Sequence, residues 1–377
     1  MTTSVAFHVD QLFSPAPGGV GTYVRNLLPA LARQDPSVEV LPFHARFAGR
    51  PSAADEELLR GYAVEELRAG IRSLYPRWNL TGRPPLPEPL GRTDLVHAAS
   101  AVAVPPAGDG QKLVVTVHDL AFLAVPSHFP RQWRQVYRTG LRVAVRRAHA
   151  IVAPSRSTAE DLLSRTRVDP SRVHVIPEAA ALPAGTGDPE GALARLKIPR
   201  PYLLFVGTLE PRKNLVRLIR AYRRVAGTGA PHALVLVGAL GWHRQPLMRE
   251  LALAGPGDIV LTGAVSPEDL DALYRLADLF VYPALYEGFG LPVLEAMARG
   301  VPTVCSNTTS LPEVAGDAAV GVHPGSIREI AAGIQQVLDV PALADRLRAA
   351  GPARAERFSW DEAARLTMQV YEKALGR

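Results

Sequence analysis

The chain has a single cysteine, Cys305, among 377 residues, which excludes an internal disulfide framework and any cysteine-rich zinc site. Set in VPTVCS, it reads as a small buried strand residue. Apolar runs are short: nowhere do about 18 uncharged apolar residues follow one another, so no transmembrane helix is expected. The N-terminal MTTSVAFHVD has neither a basic leader nor a long apolar stretch, so the chain is expected to be cytoplasmic. Aromatic residues are scarce at 6%, and no zinc finger, RNP motif or sustained basic tail accompanies the net charge of +6. Nucleic acid is therefore not the expected partner, and the excess of cations points to a phosphorylated substrate or an anionic surface.

What the chain has in quantity is apolar residue, 47% against 21% charged. At this length that suits two domains of about 150 to 200 residues, each with its own core. SVAFHVD reads as strand, the stretch 15–21 as a glycine-rich loop and TYVRNLLPALAR as helix. The alternation recurs at DLVHAA, KLVVTVHDL and AHAIVAPS, the last followed by Ser157-Thr158-Ala159-Glu160 at capping-box spacing. From 177 to 200 the composition turns to Pro, Gly and Ala without an apolar period, and a linker is placed there. YLLFVGT opens a second series: the helix NLVRLIRAYRRVA, the strands ALVLVG, DIVLTG, ADLFVYP and VPTVCS, a helix capped at Ser266-Pro267, and another expected from Ser310. Each half predicts a doubly wound α/β domain, whose ligands sit outside the carboxyl ends of the strands.

The loops at those ends hold the candidate chemistry. Gly18-Gly19-Val20-Gly21 serves either a tight turn or close approach of a phosphate to a helix N-terminus. It lacks the G-x-G-x-x-G spacing, which argues against a nicotinamide-dinucleotide enzyme. His118 and Asp119 end the strand KLVVTV. In Gly207-Thr208-Leu209-Glu210-Pro211-Arg212-Lys213-Asn214, two cations precede a helix and oppose its dipole at about 0.3 to 1 kcal/mol each, a conflict that a bound diphosphate would relieve. In the stretch from Tyr286 to Met297, Glu287 precedes a glycine-rich helix entrance near Leu291 and Glu295 lies one turn inside, so both carboxylates can meet one extended polar ligand.

Together, the N-terminal glycines, His118 after a strand, the GTLEPRKN turn and the EGFGLPVLEAMA segment resemble the retaining GT-B glycosyltransferases of family 4 over nearly the whole chain. The E-x7-E segment is the most specific of these features. The resemblance implies two Rossmann-like domains facing across a cleft: residues 1–180, completed by a C-terminal helix at 358–377, and residues 195–357, which bind the nucleotide sugar. It implies that Arg212 and Lys213 hold the donor diphosphate and that Gly19 offers its N–H to the phosphates. Glu287, with backbone N–H groups of Gly288, Phe289 and Gly290, would bind the donor sugar; Gly207 and Leu291 complete the donor set. Glu295 would take the ribose, Gly263 to Val265 would face the base, and His118 would lie against the transferred sugar. The implied catalytic set is His118, Arg212, Lys213 and Glu287, with no metal and no separate cofactor, because cationic side chains and a helix dipole stabilise the leaving group.

TVHDL with Gly238-x-x-Gly241-Trp242 looks like mannosyltransferase members using GDP-mannose, with UDP-sugar members as the alternative. Ala179-Ala180 departs from the glycine that relatives often carry there. The acceptor expected is a glycan or a polyprenyl- or lipid-linked one. Residues 131–147 place Trp133, Tyr137, Leu141 and Val145 at four-residue spacing beside Arg134, Arg138, Arg142 and Arg146. This row is either a core-facing helix with snorkelling arginines or a peripheral contact with anionic lipid. A sugar-nucleotide epimerase and a noncatalytic sugar-nucleotide binder are the competing classes.

Overall fold

In the computed structural model the described residues are 3–14, 17–35, 37–181, 188–255 and 257–377. Pro15 and Ala16 of the glycine-rich stretch and residues 182–187 of the expected linker lie outside them. The chain divides into two compact units: Met1–Phe122, Arg131–Glu178 and Ser359–Arg377 in one, Leu123–Pro130 and Ala179–Phe358 in the other.

The first unit is built on strands β1 (Thr3–His8), β2 (Val38–Arg46), β3 (Glu65–Gly70), β4 (Leu95–Ala98), β5 (Lys112–Thr116), β6 (Ala150–Ala153) and β7 (Val173–Val175). They form one sheet in the order β3-β2-β1-β4-β5-β6-β7, with every neighbouring pair parallel. Parallel neighbours need crossover connections, and helices on the faces explain why β5 and β6 read as unbroken apolar runs. The helix Trp360–Leu375, capped by Ser359 Oγ accepting from Glu362 N at 3.1 Å, packs on the helix Gly18–Gln34 of this unit.

The second unit carries β8 (Tyr202–Val206), β9 (Ala233–Val237), β10 (Ile259–Gly263), β11 (Leu279–Tyr282), β12 (Thr303–Ser306) and β13 (Val320–Val322), in the order β10-β9-β8-β11-β12-β13, again all parallel. Its helix Leu215–Ala226 buries Leu215, Leu218, Ile219, Tyr222 and Val225, the row a helix period of 3.6 puts on one face. Residues Pro189–Leu196, inside the stretch read as linker, form a helix that puts Ala192 and Leu193 into this unit's core. Cys305 is buried in β12, where burial pushes its thiol up to about 12, as suits an inert core residue. Among the described residues no helix is long and apolar enough to cross a membrane.

Several local expectations change. The glycine-rich stretch is no loop at Gly18: the helix starts there, and Gly21 sits so close to Pro17 that a Cβ would meet Pro17 Cβ at 2.3 Å. The helix Arg156–Arg165 is capped by Ser155, whose Oγ accepts from Thr158 N at 3.0 Å, two residues before the serine that the spacing picks out. Ser310 does not cap its helix either, because its backbone is already helical and its hydroxyl is engaged elsewhere. The helix Arg131–Arg147 divides along its length: Gly140, Leu141, Val143 and Ala144 are buried, whereas Trp133 is 45% exposed.

Candidate active site

In a doubly wound sheet the loops leaving neighbouring strands diverge where the strand order reverses, and a ligand can enter between them. In the second unit that point lies between β8 and β11. The loop after β8 carries Arg212 and Lys213; the loop after β11 carries Glu287. Both loops are tied at their bases. Leu285 N donates to Arg212 O at 2.8 Å, and Asn214, at φ 65°, donates from Nδ2 to Pro283 O at 2.9 Å and Pro324 O at 2.7 Å. The crossing behind them is backbone on backbone, since a Cβ on Gly238 would meet Gly207 O at 2.2 Å.

Four charges meet there. Glu287 Oε1 accepts from Lys213 Nζ at 2.6 Å, Arg212 Nη1 at 3.0 Å and Tyr282 OH at 3.2 Å, and Arg212 Nε pairs with Glu210 Oε1 at 2.5 Å. Glu210 and Glu287 thus both offset the two cations that precede this helix. Burial opposes the Glu287 charge, but Arg212 and Lys213 outweigh it and hold its pKa below the ordinary glutamate value. Lys213 is also lowered, by burial and then by Arg212, against the pull of Glu287 and Glu210. Burial and the Glu287 charge keep the Tyr282 hydroxyl protonated, well above the usual phenol range.

Glu287 leads into the helix Leu291–Ala298 through Gly290 at φ 117°. A side chain at Gly290 would be strained and would also meet Leu311 Cδ2 at 2.5 Å. Ser310 Oγ donates to Phe289 O at 2.7 Å and Glu287 O at 3.0 Å, and Thr309 Oγ1 accepts from Glu287 N at 3.2 Å. The loop's carbonyls are therefore held from behind while the first N–H groups of the helix have no carbonyl four residues back. Glu295 lies inside that helix and accepts from Tyr274 OH at 3.0 Å. Burial raises its pKa, with Tyr274 and Arg299 offsetting part of the effect. The two carboxylates of the E-x7-E pair are thus pushed in opposite directions. Gly263, at φ 73°, ends β10, and Val265 packs beside the core just beyond it.

In the first unit, His118 follows β5 and has both ring nitrogens engaged, Nδ1 with Glu178 Oε1 at 3.0 Å and Nε2 with Ala99 O at 2.8 Å. Both partners are acceptors, so only the doubly protonated ring satisfies them together. Burial lowers the His118 pKa, but the hydrogen bond and charge of Glu178, with the Ala99 carbonyl, raise it on balance. Tyr23 meets the ring edge-on at 4.8 Å between centroids. Asp119 plays another part, accepting from Ala121 N at 3.0 Å in a turn. Gly19 lies in the first turn of the helix Gly18–Gln34, where backbone donors and dipole favour an anion.

Sequence reasoning singled out neither Glu178, Glu210, Tyr274 and Tyr282 nor the second task of Ser310. Glu178 follows β7 and Tyr282 ends β11, so the rule that picked His118 reaches both. Tyr274 and Ser310 leave no such signal, because their partners come from remote segments. Among the described residues no three His, Cys, Asp or Glu side chains converge as a metal site.

Residues 194–354 match the family model described as glycosyl transferases group 1, and residues 17–180 match that of glycosyltransferase family 4. O-antigen chain mannosyltransferase B of Escherichia coli is 34% identical over 269 residues, 70% of each chain. The serotype-specific mannosyltransferase WbdA of Escherichia coli is 32% identical over 287 residues; the match covers 73% of this chain but 35% of that protein's length. The fold is shared with sucrose-phosphate synthase of Thermosynechococcus elongatus, at a TM-score of 0.73 and 22% identity over 98% of both chains.

Proposed function

The chain belongs to the family 4 glycosyltransferases, and from that premise we propose that it transfers mannose from GDP-mannose, with retention, to a glycan or lipid-linked acceptor. Mannose is favoured over other hexoses because the relatives described above are named mannosyltransferases. The observation that carries the reading is the cation pair Arg212 and Lys213 at the switch point, beside the helix entrance and Glu287.

The diphosphate competes with Glu287 for Arg212 and Lys213, and Gly19 contributes its N–H to the phosphates. Glu287, relieved of its cations, turns to the sugar hydroxyls together with the N–H groups from Gly288 to Leu291. Glu295 Oε2 is taken by Tyr274, so Oε1 is the atom for the ribose, and Gly263 to Val265 face the base. Each donor aimed at the developing charge contributes about 3 to 4 kcal/mol to lowering the barrier. The bond from the anomeric carbon to the diphosphate oxygen breaks on the face where the acceptor oxygen forms its own, and the acceptor proton passes to the departing diphosphate. His118 contacts the transferred sugar. With Glu178 and Ala99 on its two nitrogens it has no lone pair to take that proton, which supports giving the task to the phosphate. No metal is needed in this scheme, since Arg212 and Lys213 supply the countercharge.

Thermal stabilisation by a panel of nucleoside diphosphates, with and without EDTA, tests the donor. A shift with GDP that EDTA leaves intact supports it; a response to UDP alone moves the donor to a UDP-sugar, and no shift with any nucleotide sinks it. The exposed Trp133 and Val136, on a helix that also exposes Arg138 and Arg142, support a peripheral lipid contact for the acceptor. Equal sedimentation with anionic and neutral vesicles would remove that part.

A further inference from the structure

The second unit holds a cavity that the donor scheme does not use. It has a volume of about 210 Å3 and lies between the turn at 209–211, the start of the helix Leu215–Ala226, the segment 242–247 and His128. Leu209 and Leu247 line it together with His128, Arg217, His243 and Arg244. Glu210 is its one acidic lining residue among the described residues, and that carboxylate is already paired with Arg212. The charge left facing the cavity is positive.

The arrangement is held from behind. Trp242 Nε1 donates to His128 O at 2.6 Å, and the Phe129 ring packs on Trp242 at 5.5 Å, which anchors the segment Leu123–Pro130 to this unit. His243 follows at φ 51°, a left-handed conformation that residues other than glycine rarely hold. The imidazole Nδ1 of His128 is buried with no hydrogen-bond partner among the described residues. Burial, then Arg217 and His243, hold the His128 pKa below the ordinary histidine value, so positive charge is already crowded there.

A concave, partly apolar site with surplus cations and an unused imidazole nitrogen matches a group with several anionic oxygens. Drug-sized ligands occupy sites of about 300 to 1,000 Å3. The smaller volume here suits a phosphoryl group on a small substituent and not a nucleotide sugar. We propose that this cavity is a phosphoryl-binding site distinct from the Arg212 and Lys213 side chains, with Arg217 and Arg244 supplying the opposite charge and His128 and His243 hydrogen-bonding the oxygens. The site does not depend on which nucleotide sugar the enzyme uses.

The test is titration of inorganic phosphate into the full-length protein with excess nucleoside diphosphate present, followed by NMR of the histidine imidazoles. Saturable shifts of His128 and His243 are expected. The apparent dissociation constant should rise about tenfold or more in Arg217→Gln, the loss that goes with one charge-assisted hydrogen bond. Arg244→Gln, at an exposed position, should weaken phosphate similarly and keeps the test intact where Arg217→Gln fails to fold. Lys213→Gln, which leaves the Arg212–Glu210 pair in place, should leave the phosphate response unchanged, whether or not the donor scheme holds. Shifts that do not saturate, or that persist unchanged in both cavity variants, or that vanish in Lys213→Gln, would overturn the site. Competition by a hexose monophosphate assigns the group to a soluble ligand, and competition by phosphatidylglycerol vesicles assigns it to a lipid headgroup.

Discussion

Replacing Glu287 by Gln removes one negative charge from a buried cluster while keeping the side chain's shape. Lys213, whose side chain is 8% exposed, then loses its paired carboxylate, while Arg212 keeps its pair with Glu210. Breaking a buried ion pair on one side costs about 3 to 5 kcal/mol, and because Glu210 remains, the lower end applies. For a unit of this size about 1 kcal/mol moves the melting temperature by about 2 to 4 °C, so the variant should melt about 6 to 12 °C below the wild type. A nucleoside diphosphate restores the missing charge without having to displace a carboxylate. At one fixed GDP concentration the melting rise should therefore be larger in the variant, against about 2.7 kcal/mol for the wild type at a hundredfold excess over its dissociation constant. Burial and Arg212 already hold Lys213 below the ordinary lysine value, so the variant can also shed that proton, and its deficit should shrink as pH is raised. Differential scanning fluorimetry of both proteins from pH 6 to 9, with and without GDP, reads all three effects. A variant that melts with the wild type and gains no more from GDP would refute the idea that Glu287 balances the cations.

The His118 pKa is raised on folding, so its stabilising contribution is complete below about pH 6.5 and disappears as pH rises through the higher folded value. Glu178→Gln should flatten that limb of the melting-temperature profile, and a profile with the wild-type slope would count against the pair. Glu295→Gln keeps the Tyr274 hydrogen bond and removes a carboxylate that burial disfavours, so chemical denaturation should show equal or greater stability. Its affinity for nucleoside diphosphates by calorimetry should nevertheless fall about tenfold, the worth of one charged hydrogen bond; undiminished affinity would take the ribose away from Glu295. Gly290→Ala should lose about 2 kcal/mol or more, and its cost measured against Leu311→Ala alone should fall by only the steric part, since φ 117° remains unfavourable. Denaturant midpoints of the single and double variants separate the two contributions.

Most of the fold is legible where strands are buried on both faces. YLLFVG and ALVLVG are apolar without interruption and KLVVTV is largely so, and each is a strand of a covered parallel sheet. β3 is not legible, because EELRAG at the sheet edge has solvent on one side and charges along it. β2 hides for another reason: Pro42 interrupts its apolar pattern. In the site, Arg212, Lys213 and Glu287 are visible because turn, glycines and helix start lie close together in sequence. Their partners are not. Tyr274 meets Glu295, Ser310 reaches back to the Glu287 carbonyl, and Glu178 finds His118 from 60 positions away, all contacts that only the tertiary fold creates.

Tyr371, in the last turns of the chain, has its hydroxyl 2.6 Å from His97 Nδ1 in the core of the first unit, and His97 Nε2 continues to Thr116 Oγ1 at 2.9 Å. A ribosome therefore releases the N-terminal sheet long before the helix that closes it exists, and the nascent first unit must wait through the synthesis of the whole second unit with a bare helix face and His97 Nδ1 without its Tyr371 partner. Cutting the gene between the two sheets would make that wait permanent. A soluble N-terminal half requires the segment 359–377 grafted on or supplied as a peptide, and the tail in turn becomes a handle: a terminal truncation meant to trim the surface would strike the core.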